Sequence, residues 1–426
     1  MKLHPPHHII APALCAAFTA LAVVTVALPA PAQAIKRPVE AKQTLHKFIP
    51  KYKQKKGAAR RKSQVSEIQN DIDTRSIRDS ASKDLKYIIV LLAEIPLMEG
   101  RKPVIAPVFM TDNKKIFGTR TDFSFNWVGY KMTMKFRQNN FPFRNTSLQE
   151  VLIGSFLYAS GTNLGFVGSS YQKETRFYTN YTSEMLIFRW RMAKYLTTGY
   201  GFDSRQYFFI RRETPEDFRM PKNHVNIFPF FIMEIGSLEE HGIDQLTQGI
   251  MAYAWGGYGW RSRWGWWGES TEPQSGAYAR DFAIFSAWLK FGLLYEDNHN
   301  LVVRLLYKSG VDNDFLNRPR FGGTIDNARL DVVHGYPLDY FRVNSFCLTN
   351  ISYGFNIFSR LRLNLYFDYA HIFIPRYDNV IGFGYGFRIT MFYGIPLWVT
   401  HGMGKRIFPG DSELNHTIMI MTAAGW

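Results

Sequence analysis

Two clusters in this chain hold side chains of the type and spacing that chemistry requires. The first is the run from Trp255 to Trp267, which gathers five of the ten tryptophans together with Arg261 and Arg263. Indole faces attract cations and stack on flat ligands, so Trp260, Trp264, Trp266 and Trp267 form a candidate aromatic loop. Tryptophan also favours the membrane–water boundary, where its apolar ring and its N–H are both accommodated. Sequence alone leaves both readings open, an interfacial collar and a ligand platform. The second cluster, Glu239-Glu240-His241 with Asp244, has the residue types of a metal site, although a solvated acidic turn explains it more simply. The chain has neither a Gly-x-Ser-x-Gly nucleophile elbow nor a His-Glu-x-x-His metal pair. The expectation is a protein without catalytic residues, metal or cofactor. A barrel that assembles Ser, His and acidic groups across strands is the remaining enzymatic alternative.

The elements that must carry these residues read as strands. In Arg360–Asp368 the apolar Leu361, Leu363, Leu365 and Phe367 alternate with Arg362, Asn364 and Asp368. Period two puts the two sets on opposite faces of a strand. Leu186, Phe188, Trp190 and Met192 alternate in the same way with Arg189 and Arg191, and Leu301, Val303, Leu305 and Tyr307 with Arg304 and Lys308. Such segments recur from residue 104 to 426, and sixteen of them are counted, the first at 104–112 and the fifth at 164–174. Short connections at Trp127-Val128, Leu196, 296–298 and 394–395 interleave with long ones at 139–149, 211–223, 258–276 and 311–340. Outer-membrane barrels have that parity of short inner turns and long outer loops. The expected fold is therefore all-β, a transmembrane antiparallel barrel of about sixteen strands spanning 104–426.

The preceding segments set the compartment. Residues 1–34 combine Lys2, an apolar run from Ile9 to Leu28 and the small-x-small exit Ala32-Gln33-Ala34. Those are the marks of a cleaved secretory peptide. Removing it takes Cys15 away and leaves only Cys347, which excludes an intrachain disulfide. Residues 35–85 form a basic tail or linker, with fourteen Lys/Arg against six Asp/Glu between 35 and 84. It reads as a solvated tail, with an anionic periplasmic partner (lipid headgroups or cell-wall polymer) as the sharper alternative. Export argues against nucleic acid. Residues 86–103 are expected to form a short periplasmic segment beneath the barrel.

One constellation adds a resemblance. Gly322-Gly323-Thr324 leads through Leu330 to Val333-His334-Gly335-Tyr336, followed by Phe367-Asp368-Tyr369-Ala370, by Gly382 to Arg388, and by Trp426. This resembles the BamA/TamA superfamily of outer-membrane assembly and secretion barrels, also called the bacterial surface antigen family. The resemblance is clearest over 320–426. It implies a sixteen-stranded barrel whose sixth outer loop carries a Val-Arg-Gly-Phe/Tyr tip that folds back into the lumen. The tip would be Val333, His334, Gly335 and Tyr336, and its luminal partners Asp368, Arg362, Gly382 and Gly384. Two substitutions depart from the pattern: His334 stands for the arginine, and Asp368-Tyr369-Ala370 for Asp-x-Gly. Residues 35–103 are too short and too basic for a periplasmic POTRA module.

These observations lead to a functional expectation. The chain reads as a non-enzymatic barrel in a Gram-negative-type outer membrane, assisting insertion or translocation of protein or lipid. Its partners are outer-membrane lipid and the barrel assembly machinery, with Trp426, Ile420 and Ile418 as the terminal assembly signal. The alternatives are a passive channel for small polar or anionic solutes lined by Arg189, Arg191, Arg304 and Arg362, and a barrel enzyme acting on lipid.

Overall fold

The structure is a computed structural model. It describes residues 87–97, 103–116, 121–128, 131–155, 166–167, 170–171, 177–211, 216, 218–241, 246–265, 267, 280–295, 298–313, 317–323, 331–337, 340–358, 360–374, 377–391, 395–407 and 413–425. The expected signal peptide, the basic tail, Trp266 and Trp426 lie outside these residues.

Sixteen antiparallel strands close into a barrel. The first five are β1 (Tyr87–Pro96), β2 (Val104–Ile116), β3 (Thr121–Val128), β4 (Lys131–Asn139) and β5 (Thr146–Ser155). The longest follow: β6 (Phe177–Ala193), β7 (Leu196–Arg211), β8 (His224–His241), β9 (Leu246–Arg261) and β10 (Asp281–Tyr295). β11 (His299–Val311), β12 (Ser345–Phe358), β13 (Leu361–Ile374), β14 (Asp378–Thr390), β15 (Pro396–Arg406) and β16 (Asn415–Gly425) complete the wall. Closure satisfies the backbone of every strand on both sides, which an open sheet in lipid would not achieve.

The expected strand count holds, but two assignments change. Residues 87–96, expected as part of a separate periplasmic segment at 86–103, form β1 and pair with both β2 and β16. Both faces of this strand are apolar: Val90 and Leu92 point inward, Ile89 and Leu91 outward, and only Glu94 breaks the run. The expected strand at 164–174 contributes no barrel strand, and its described residues form a two-residue ladder, Phe166–Val167 with Ser170–Tyr171. The shift reverses the expected parity at the start of the chain. The 129–130 turn falls at the end opposite the chain termini, and 140–145 at the terminal end. From β6 onward the expected parity is the observed one. Short turns at 194–195, 242–245, 296–298 and 359–360 share the terminal end, while the longer connections 156–176, 212–223, 262–280 and 312–344 fall at the other.

The seam that closes the barrel is continuous. β1 pairs with β16 from Ile88↔Gly425 to Pro96↔Thr417, nine residue pairs against eight between β15 and β16. Behind it, Val90, Val108, Met110, Trp398 and Ala423 pack as an inward apolar cluster. The outer wall is largely apolar as the alternation required, with Leu186, Trp190, Tyr200, Phe202, Phe291, Leu293, Leu365, Phe383 and Phe387 exposed.

Candidate functional site

The candidate site is where the sixth connection at the end opposite the termini, loop 312–344, turns back into the barrel. The loop is a bent hairpin. Arg320 and Phe321 pair with Arg342 and Phe341, and a single bridge joins Gly323 to Val333. Gly322 and Gly323 adopt φ of 125° and 114°, a region open mainly to glycine, which bends the hairpin inward. Phe321 stacks on Phe341 at 4.6 Å and packs on Phe346 of β12 at 4.5 Å, while Tyr336 meets Phe341 at 4.8 Å. These rings join the inward residues of β8 to β14, including Ile232, Trp288, Leu306, Leu348 and Val380, in one buried cluster. The inner face of β8 to β14 beneath the loop is thus packed with side chains.

The tip sits against β13, β14 and β15. Asp368 on β13 points inward and is 1% exposed. Its Oδ2 accepts the backbone N–H of His334 at 2.7 Å and lies 2.7 Å from His334 Nδ1. Its Oδ1 accepts Asn350 Nδ2 of β12 at 2.7 Å, and the same amide donates to Val332 O at 2.8 Å. A carboxylate only accepts, so the proton of this contact resides on Nδ1 of His334. Three donors compensate the burial of that carboxylate, which would otherwise be costly. The imidazole also stacks on Tyr366 at 4.3 Å and 13°.

Glycine makes the approach possible. A Cβ at Gly384 would stand 2.7 Å from the His334 ring, and one at Gly382 would stand 2.7 Å from Asp368 Oδ2. Gly335 has φ of 89°, and a Cβ there would fall 1.9 Å from the backbone nitrogen of Gly404 on β15. A Cβ at Gly404 would in turn stand 2.4 Å from the Tyr336 ring. Beside the tip, Lys308 of β11 forms a buried pair with Asp331 at 2.9 Å.

Of the residues selected by sequence, Val333, His334, Gly335, Tyr336, Asp368, Gly382 and Gly384 therefore come together. Arg362 does not join them. It faces the lumen near the turn end, bonded to Asn356 and Asn364 at 3.2 Å and to Asn298 O at 3.4 Å. Asn350 and the Lys308–Asp331 pair were not singled out. The segment around Asn350 is mixed on both faces, and Asp331 lies outside any strand, so periodicity marks neither.

The aromatic run is strand as far as Arg261, where a loop was expected, because β9 continues through Trp255 and Trp260 in register with β8 and β10. Inward Gly257 and Gly259 leave room for Phe228, Phe230 and Phe282. Arg261 is fully buried, its guanidinium 4.2 Å from the Trp264 ring and 4.5 Å from Phe282. Trp267 is also buried and packs edge-on to Phe218. Trp264 and Trp267 thus pack into the structure, and Trp260 alternates outward. Of the luminal cations, Arg189 binds Gln149 Oε1 at 2.7 Å with Glu234 at 3.8 Å, and Arg304 is buried. Arg191 lies near the turn end of β6, half-exposed. Ile418 and Ile420 of β16 pair with Ile95 and Ala93 of β1. Among the described residues no group of three or more His, Cys, Asp or Glu is placed to hold a metal.

No protein-family model matches this chain, and no curated protein matches its sequence. Solved structures share its fold. CdiB from Escherichia coli aligns with a TM-score of 0.53 at 10% identity, covering 81% of this chain and 64% of CdiB. The chain therefore spans less than two thirds of that protein. BamA from Haemophilus ducreyi lacking POTRA domains 1-3 aligns at 0.48 and 10% identity, covering 79% of this chain and 70% of that one. The outer membrane channel DcaP of Acinetobacter baumannii aligns at 0.40 and 9%, covering 80% and 96%. At these identities the likeness is one of fold. Closed topology and apolar outer wall define a transmembrane β-barrel of the outer-membrane type.

Proposed function

We propose that this chain is an integral, non-enzymatic barrel of a Gram-negative-type outer membrane, related to the BamA/TamA assembly barrels, that helps insert or move polypeptide or lipid. The observation that carries this reading is the sixth loop folded into the lumen, with His334 held on Asp368. A loop fixed on the inner wall closes the bore to small solutes and leaves the wall itself as the place of action. The working element is then the seam between β1 and β16, which opens laterally into lipid. The seam strands are short, 10 residues in β1 and 11 in β16, against 17 in β6 and 18 in β8. A wall of short strands matches a thinner bilayer, which lowers the barrier to insertion beside it. The full β1–β16 ladder makes opening a cost that cargo binding must offset, so the closed barrel is the resting state.

The test is to lock the seam. Leu91 faces Thr422 across it. With Cys347→Ser as background, Leu91→Cys/Thr422→Cys forms a reducible staple. Liposomes carrying the unstapled protein should raise the folding yield of a second barrel or speed lipid transfer, and oxidation should abolish the gain until reductant restores it. A gain that survives the staple contradicts the reading. The rival is a passive channel for polar or anionic solutes. Stable anion-selective conductance from the wild type would favour it, and release of fatty acid or peptide would favour the enzymatic alternative.

A further inference from the structure

The outer wall of β5 to β8 contains a polar island. Outward positions of β6 run Trp190, Phe188, Leu186 and then Glu184, Thr182 and Asn180. On β7 they run Tyr200, Phe202 and then Ser204 and Gln206, before returning to Phe208 and Ile210. Cross-strand register sets Glu184 beside Ser204, Thr182 beside Gln206 and Leu186 beside Phe202. Leu152 of β5 flanks Glu184, and Ile227 and Val225 of β8 flank Ser204 and Gln206. A second carboxylate, Glu150, faces outward between Phe136 and Leu186. The island is therefore bordered by apolar side chains on both sides along β7, toward the turn end on β6, and across the strands.

Glu184, Thr182 and Gln206 are exposed. The outward faces of β5 to β8 carry no lysine or arginine. A carboxylate or amide facing acyl chains is unfavourable unless another group satisfies it. The patch holds acceptors in Glu184 and Glu150, and donors in Thr182, Ser204 and Gln206. A surface with both kinds close together is complementary to its own copy, because a two-fold axis brings one molecule's donors onto the other's acceptors.

We propose that the outer wall of β5–β7 is a self-association surface, on which two copies of this chain meet within the membrane. Glu184 of each copy accepts hydrogen bonds from Gln206 and Thr182 of the other, while Phe202, Leu186 and Phe208 pack around them. This leaves the seam, which lies elsewhere on the barrel wall, free in both copies.

The experiment uses the full chain in its own membrane, with Cys347→Ser as background. Thr182→Cys should form a disulfide-linked dimer on mild oxidation, whereas Leu365→Cys, outward on β13, should not. Adding Glu184→Leu and Gln206→Leu should lower the dimer yield about tenfold, the loss expected for two hydrogen bonds. The folded barrel band should persist, because both replacements suit a lipid-facing wall. Three results would overturn the proposal. They are equal dimer from both cysteines or none from either, an adduct of another mass that reveals a different partner, and reaction of Thr182→Cys with a membrane-impermeant maleimide, which would place the wall above the lipid.

Discussion

The loop dock and the seam are held by different physics. At the dock, directed side-chain bonds hold a chain segment across β12, β13, β14 and β15: Asp368 takes three donors, and glycines 382, 384 and 404 give the tip its bed. At the seam, a backbone ladder runs from Ile88 to Pro96, and most inward side chains behind it are apolar, Val90, Leu92, Met419 and Ala423, with buried Glu94 and Thr417 toward its far end. Directed bonds to one buried carboxylate fail together when geometry is disturbed. A ladder backed by non-directional apolar packing loses one rung at a time. The dock is therefore suited to stay shut and the seam to yield.

The sharpest way to break this contrast is Gly335→Ala. The added methyl meets the β15 backbone at a φ that L-residues avoid, a cost of about 3 kcal/mol. The barrel should remain closed at the seam while loop 312–344 becomes open to externally added protease. A loop that stays protected would show that the tip is not seated on β15. His334→Ala comes next, removing the imidazole donor to Asp368 and the stack on Tyr366. Leaving that carboxylate one donor short costs about 2 kcal/mol. It should lower the temperature at which the folded band is lost in gel heat-modifiability, and an unchanged temperature would sink the latch. The smallest effect belongs to the seam. Val90→Ala deletes two buried methyl-sized groups, about 1.5 kcal/mol. It should raise amide hydrogen exchange in β1 and β16 while leaving exchange in β13 as it was.

The same contrast explains what was legible in the sequence. β13 was readable because charge alternates with grease: Arg362, Asn364 and Asp368 on one parity, Leu363, Leu365 and Phe367 on the other, whereas the tip residues 333–336 and their glycine partners were legible only through the family resemblance. β1 offered no such contrast, since Val90 and Leu92 face inward to apolar neighbours and the strand is greasy on both sides. A period-two signal needs two unlike faces. Gly259 of β9 misled in the opposite direction. It reads as loop, but in the wall it admits the rings of Phe228 from β8 and Phe282 from β10. Asn350 escaped notice because its role is set by register alone: it pairs with Asp368 across β12 and β13, eighteen positions apart.

The central claim is that the docked sixth loop closes the lumen, and planar-bilayer recording tests it most directly. The wild-type protein should insert without steady conductance steps, and Gly335→Ala should convert it into a channel with stable open levels. A wild type that conducts steadily, at the level of the variant, would contradict the account.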